Sequence, residues 1–268
     1  MKKKVLFFLQ SGVGGAERVT VTLAKSLNPA MYDIVYYLVE SSENIISIEE
    51  FIPEGSNIHH AKRGHLLSFL SNLFKVLKNE KPDIVFSSMM FLNTKLLAIS
   101  LFFPRIKFIV RNNNYLYTLS KIQKKILKLT YKKADYIIAQ TQEMSEELVK
   151  KAGLSKKLIK VLQNPVDIEI INKKIKDPSP FIDNANIKYV ASGRFFRVKG
   201  FDILVKAFRL VIDQQPNSEL FILGKKDANC LAYYKEIESL IQNLGLTNKV
   251  HCEGFQTNPY KYVKNADC

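Results

Sequence analysis

The chain has 268 residues, 47% of them hydrophobic, and 40 Lys and Arg against 25 Asp and Glu give it a formal net charge of +15. Length and apolar content suffice for two cores, while three cysteines, Cys230, Cys252 and Cys268, without paired spacing speak against a disulfide framework or a zinc site and suit a reducing cytoplasm. The greasiest stretch, Met89 to Phe103, is broken by Asn93, Thr94 and Lys95 and falls short of the ~20 residues of a bilayer span, and Val5 to Leu9 is too short for a secretory core, so a cytoplasmic chain, at most peripheral on a membrane, is expected.

Apolar periodicity predicts a first strand at Val5 to Leu9, then a helix over Ala16 to Ser26 and a strand at Ile34 to Val39. A helix over Leu66 to Leu77, a strand at Ile84 to Ser88, a helix over Thr94 to Phe102 and a strand at Lys107 to Val110 follow. The first half closes with a helix over Lys121 to Tyr131, a strand at Tyr136 to Ala139, a helix over Gln142 to Lys151 and a strand at Ile159 to Leu162. Strands such as Ile84-Val85-Phe86 are continuously apolar, as expected where helices cover both faces of a parallel sheet. Residues 1–165 therefore read as one Rossmann-like domain. The stretch 166–186 carries Pro178 and Pro180 among Asp, Asn and Lys without sustained periodicity and reads as a linker. Residues 187–268 restart the alternation: strand Tyr189 to Ser192, helix Phe201 to Ile212, strand Glu219 to Leu223, helix Leu231 to Asn243, strand Lys249 to Glu253 and a short helix over Tyr260 to Asn265.

The positive charge is concentrated. Between Ala61 and Lys133 there are 15 Lys and Arg against only Glu80 and Asp83, so the rest of the chain is nearly balanced. Lys121, Lys125, Lys128 and Lys132 share one helical face, with Ile122, Ile126 and Leu129 on another, a pattern suited to an anionic membrane surface. Nucleic acid would feel the same field, but no basic-aromatic recognition module accompanies it.

Three strand ends carry candidate chemistry. Ser192-Gly193-Arg194-Phe195-Phe196-Arg197-Val198-Lys199-Gly200 joins a strand to a helix through a glycine turn with an arginine and, five residues on, a lysine. A planar guanidinium fork and a mobile ammonium suit a diphosphate. Gly12-Val13-Gly14-Gly15-Ala16-Glu17 opens the first helix, but Glu17 stands where a nicotinamide-binding G-x-G-x-x-G would need its last glycine. Val110-Arg111-Asn112-Asn113-Asn114 follows another strand, and its amides can orient a hydroxyl but cannot exchange a proton near neutral pH.

The G-R-x(4)-K-G element, with Gly14-Gly15-Ala16-Glu17-Arg18-Val19 before it, Asn164-Pro165-Val166-Asp167 between, and Leu220 to Gly224 and Val250 to Phe255 after it, resembles the nucleotide-sugar glycosyltransferases of family four. The resemblance runs along essentially the whole chain. It implies a GT-B architecture, two α/β Rossmann-like domains facing a cleft. It also implies retaining transfer of a sugar from a nucleotide diphosphate donor, a UDP-sugar, to a lipid-linked saccharide or surface polysaccharide precursor, without a metal or organic cofactor. By the same resemblance Arg194 and Lys199 neutralise the leaving diphosphate, Gly14, Gly15, Gly193, Gly224, Gly254 and Phe255 line the donor, and Arg111 and Asn113 stand on the acceptor side, where many relatives carry a histidine. The family continues through a pair of glutamates, the rest of a second sheet and a closing helix, so a second domain incomplete at Asp267-Cys268, with weak or absent turnover, is expected. A nucleotide-sugar epimerase on the same fold and a non-catalytic basic module binding membranes or nucleic acid stay open as alternatives.

Overall fold

The computed structural model describes residues 2–40, 47–62, 65–226 and 230–268. The chain divides into two compact units, Met1–Val166 and Asp167–Cys268.

The first unit is a seven-stranded parallel sheet with strands β1 (Lys3–Gln10), β2 (Tyr32–Val39), β3 (Asn57–Ala61), β4 (Ile84–Ser87), β5 (Lys107–Asn112), β6 (Tyr136–Ala139) and β7 (Ile159–Val161), in the order β3-β2-β1-β4-β5-β6-β7. Leu6 and Phe8 of β1 enter one core with Val35, Val85 and Phe108, while Val5, Phe7 and Leu9 enter another with Tyr36 and Phe86. Burial on both faces is the physical reason the central positions of β1, Val5 to Leu9, are continuously apolar. Helices α1 (Gly15–Lys25), α2 (Leu66–Glu80), α3 (Met90–Ile99), α4 (Lys121–Thr130) and α5 (Gln142–Lys150) connect them.

Two elements differ from the sequence reading. Asn57-Ile58-His59-His60-Ala61 lacks an apolar run, yet it pairs with β2 from Val35↔Asn57 to Val39↔Ala61 as an edge strand. Helix α3 starts at Met90 rather than Thr94, because Asn93 is fully buried and finds partners in the fold: its amide donates to the Arg111 carbonyl (3.0 Å) and the Tyr131 hydroxyl (2.9 Å).

The second unit holds α6 (Ile168–Lys174), β8 (Ile187–Ser192), α7 (Phe201–Gln214), β9 (Ser218–Leu223), α8 (Leu231–Asn243), β10 (Val250–Gly254) and α9 (Tyr260–Asn265), its parallel strands ordered β10-β9-β8. Phe195, Phe201, Val205, Leu220, Ile222 and Ile237 centre its core. The stretch expected as a linker is part of this unit. The Asp167 carboxylate caps α6 through the Ile170 N–H (3.0 Å), the Asn258 amide donates to the Lys174 carbonyl (2.7 Å) and the Asp177 carboxylate (2.8 Å), and the Phe181 ring lies 4.7 Å from that of Phe221. Its polar composition hid an element that tertiary contacts stabilise. Along the free edge of β8, the Val190 N–H donates to the Cys268 carbonyl (2.8 Å) and the Cys268 N–H to the Lys188 carbonyl (3.2 Å), a parallel pairing about Tyr189.

Candidate active site

In the second unit, the carboxyl ends of three neighbouring strands each carry a glycine. The Gly193 N–H donates to the Leu223 carbonyl (2.9 Å) and the Gly224 N–H to the Gly254 carbonyl (2.8 Å), so Gly193, Gly224 and Gly254 form one row. A β-carbon on Gly224 would collide with the Gly193 carbonyl oxygen and lie 3.0 Å from the Phe195 ring, so only glycine allows this approach. In a doubly wound fold this rim is where ligands bind.

The loop from Ser192 to Gly200 is tied down at several points. Phe195 is fully buried, 5.0 Å from the Phe201 ring and 4.7 Å from that of Tyr234. Arg197 reaches α8, where it pairs with Glu236 (2.5 Å) and lies over the Tyr233 ring. It is therefore a structural tie as well as an exposed residue. The Tyr233 hydroxyl donates to Asp202 at the start of α7 and holds that carboxyl below the usual carboxylate range.

Arg194 and Lys199 are both exposed. The methylene stem of Lys199 crosses Gly193, where a β-carbon would come within 3.3 Å of it, and the Arg194 guanidinium lies 5.0 Å from the Phe196 ring centroid. The fold thus lays the Lys199 stem on the glycine row, while Arg194 follows Gly193 in the chain and turns its guanidinium toward Phe196. Phe255 follows Gly254 and is exposed.

In the first unit, Gly14 is the N-cap residue of α1, and the side chain of the buried Glu17 folds back over it; Gly15 opens onto free space. Arg111 is 2% exposed, the largest of the fully buried side chains. Its guanidinium donates to Asn113 Oδ1 (2.5 Å) and to Asn164 Oδ1, and no described carboxylate pairs with it. Burial without a counter-charge pulls its pKa down. Asn113 Oδ1 also accepts from Gln140 (3.1 Å), its amide donates to the Ser88 carbonyl, and the Ser88 hydroxyl accepts from Thr20 (2.8 Å). A polar row thus runs along the carboxyl ends of β4, β5, β6 and β7. Arg111 and Asn113, singled out in the sequence as ligand contacts, spend their head groups inside it. Sequence reasoning missed Gln140, Ser88 and Thr20, which lie far apart along the chain and fit no motif.

Helix α4 starts from a capping box between Ser120 and Gln123. It buries Leu127 and leaves Ile122 (73%), Ile126 and Leu129 (63%) in solvent next to its lysines. No helix among the described residues is long and apolar enough to cross a membrane.

Comparison with known proteins adds the following. The family model "Glycosyltransferase Family 4" matches residues 13–170 and "Glycosyl transferases group 1" matches residues 172–268. The chain is 30% identical to an N-acetylgalactosamine-N,N'-diacetylbacillosaminyl-diphospho-undecaprenol 4-alpha-N-acetylgalactosaminyltransferase of Campylobacter jejuni, over all of this chain and 73% of that protein. It is 28% identical to an uncharacterized glycosyltransferase of Methanocaldococcus jannaschii, over 73% of this chain and 51% of the relative, so it spans about half of that protein's length. Among solved structures, Anabaena HepE in complex with UDP and glucose superposes with a TM-score of 0.78 at 20% identity, covering 99% of this chain and 73% of HepE. A putative UDP-N-acetylglucosamine 2-epimerase of Listeria monocytogenes superposes at 0.61 and 14% identity, covering 99% of this chain and 73% of that one, so both enzyme types share the fold.

Proposed function

The chain belongs to the glycosyltransferases of family 4, and from that premise we propose that it moves a sugar from a nucleotide diphosphate donor, a UDP-sugar, onto a lipid-linked saccharide with retention of configuration. The observation that carries the proposal is the row Gly193, Gly224 and Gly254 with the stem of Lys199 laid across it and Arg194 beside it. Backbone without side chains lets a pyrophosphate approach the rim, and the two cations meet it there. Negative charge on the leaving diphosphate grows as the sugar–oxygen bond breaks, so cations fixed at that position stabilise the transition state more than the ground state. Gly14 and Gly15 offer backbone N–H groups at the start of α1, and Phe255 offers a ring face for the base.

The acceptor class follows the Campylobacter relative's name, and UDP follows the ligand of HepE. The transferases among the sequence relatives favour this reading over epimerisation. Arg111 and Asn113 serve the acceptor side by holding the loop after β5 in place. The exposed apolar and lysine stripes of α4 suit peripheral attachment to an anionic membrane, where a lipid-linked acceptor resides.

Calorimetric titration with UDP tests the donor site. The wild-type chain is expected to bind, and Arg194→Ala and Lys199→Ala each to weaken binding about tenfold or more, the size of a lost charge-assisted hydrogen bond. Unchanged affinity in both variants would move the phosphate site elsewhere.

A further inference from the structure

Resting on that reading, we propose that Tyr117 and Asn114, on the loop after β5, form the subsite that holds a sugar ring of the acceptor. Three observations converge. First, the loop is held in place. The Asn112 amide donates to the Asn114 carbonyl (2.7 Å), the Leu116 N–H to the Glu147 carboxylate (2.7 Å) and the Thr118 hydroxyl to the Tyr115 carbonyl (2.7 Å). Second, Tyr115 and Tyr117 stack with ring centroids 5.5 Å apart and planes at 22°, and Tyr117 is still 72% exposed. Third, Asn114 is exposed, and among the described residues neither its side-chain amide nor the Tyr117 hydroxyl has a hydrogen-bond partner.

This combination is the chemistry of carbohydrate recognition. A pyranose presents a face of C–H groups that lies flat on an aromatic ring and a periphery of hydroxyls that a neutral amide can both donate to and accept from. An immobilised loop lowers the ordering cost of such a contact. Placement agrees: the loop leaves the carboxyl end of β5, on the rim where doubly wound sheets bind ligands. The Tyr115 hydroxyl lies 3.5 Å from that of Thr141, at the start of α5 after the neighbouring strand β6, which puts the inner ring of the stack on that rim. The residues that the sequence marked, Arg111 and Asn113, then act as positioning groups, and the two residues that remain free do the contacting.

Saturation-transfer difference NMR with methyl glycosides of glucose, galactose and N-acetylgalactosamine tests the proposal, with UDP titrated in parallel. At least one glycoside is expected to receive saturation on the ring protons of a single face. Tyr117→Ala is expected to weaken that binding about fivefold, the size of one aromatic contact, and Tyr117→Phe to retain it. Asn114→Ala should weaken it while leaving the ring contact in the spectrum, and UDP affinity should be the same in all variants. Saturation unchanged in Tyr117→Ala, or absent with all three sugars in the wild type, would overturn the subsite. Unchanged saturation together with loss of anionic-vesicle binding would instead make Tyr117 a membrane anchor, which overturns it too. A wild-type chain that binds a glycoside but not UDP, and loses the glycoside in Tyr117→Ala, would keep the subsite and reject the donor reading, so the two fail separately.

Discussion

At Gly224 a single methyl group decides whether two strands can close. Its neighbours there are the Gly193 carbonyl and the buried Phe195 ring, neither of which can move without disturbing β8 or the core. Gly224→Ala is therefore expected to destabilise the second unit by roughly 2 kcal/mol or more, as overpacking against rigid neighbours does. Gly14→Ala meets the carboxylate of the buried Glu17 side chain rather than backbone or an aromatic ring, so its cost should be smaller than that. Gly193→Ala sits between the two: it pushes on the Lys199 stem at 3.3 Å, so the fold should hold while UDP affinity falls. Thermal denaturation beside UDP titration of the three variants separates these outcomes, and a Gly224→Ala protein melting with the wild type would show the approach to be compliant. The sequence marked Gly193, Gly224 and Gly254 by their positions after strands. It could not show that they touch, since Gly193 and Gly224 meet only when β8 and β9 pair. The contact of Arg111 with Asn164 was invisible for the same reason, since they stand 53 positions apart with no motif joining them.

Among the elements, those buried on both sides were the legible ones. Strands β1, β4 and β6 declare themselves by apolar runs through their centres, while β3 exists because β2 has an open edge, and α6 because Asp167 caps it and α9 packs on it. The face of the second sheet opposite its main core carries a charged row that composition also concealed. Lys188, only 5% exposed, pairs with Glu219, which accepts from Asn186 (3.1 Å) and lies 3.3 Å from His251. Burial works to raise the Glu219 pKa, but the hydrogen bonds from Lys188 and Asn186, the charge of Lys188 and the contact with His251 outweigh it and hold the carboxyl below its ordinary value of 4.5. A carboxylate depressed on folding contributes stability that is complete above its unfolded pKa and disappears as pH falls through its folded one. The second unit should thus keep this contribution down to about pH 4.5 and lose it below. Lys188→Met removes the cation paired with the half-buried Glu219 carboxylate, so acid unfolding followed by circular dichroism should begin at higher pH than in the wild type. Coincident acid transitions would mean that the ion pair stabilises nothing.

For the molecule as a whole, the decisive property is where the charge sits. Fifteen cations against two acids fall between Ala61 and Lys133, in the first unit, and within that region α4 leaves both its lysine stripe and its apolar stripe in solvent. An exposed lysine stripe alone would be an ordinary solvated face. An apolar stripe left uncovered beside it is what a helix lying in a lipid interface requires, because the apolar side chains enter the acyl boundary while the lysines stay among the head groups. Each lysine near an anionic surface adds about 1 kcal/mol, so replacing Lys121, Lys125 and Lys128 by glutamine should cost about 3 kcal/mol, roughly a hundredfold in partition onto phosphatidylserine-containing vesicles. Raising the ionic strength from about 0.1 M to 1 M shortens the screening length from about 10 Å to 3 Å and should release the wild type in the same manner. Ile122→Ser with Leu129→Ser should weaken binding to neutral and anionic vesicles alike, with little dependence on salt, because it removes the area term and leaves the charges. Vesicle sedimentation of these variants separates the two contributions. If the glutamine variant stays bound, or if the wild type binds a single-stranded polynucleotide as tightly as it binds vesicles, the charge serves general electrostatic attraction and α4 is not an interfacial helix.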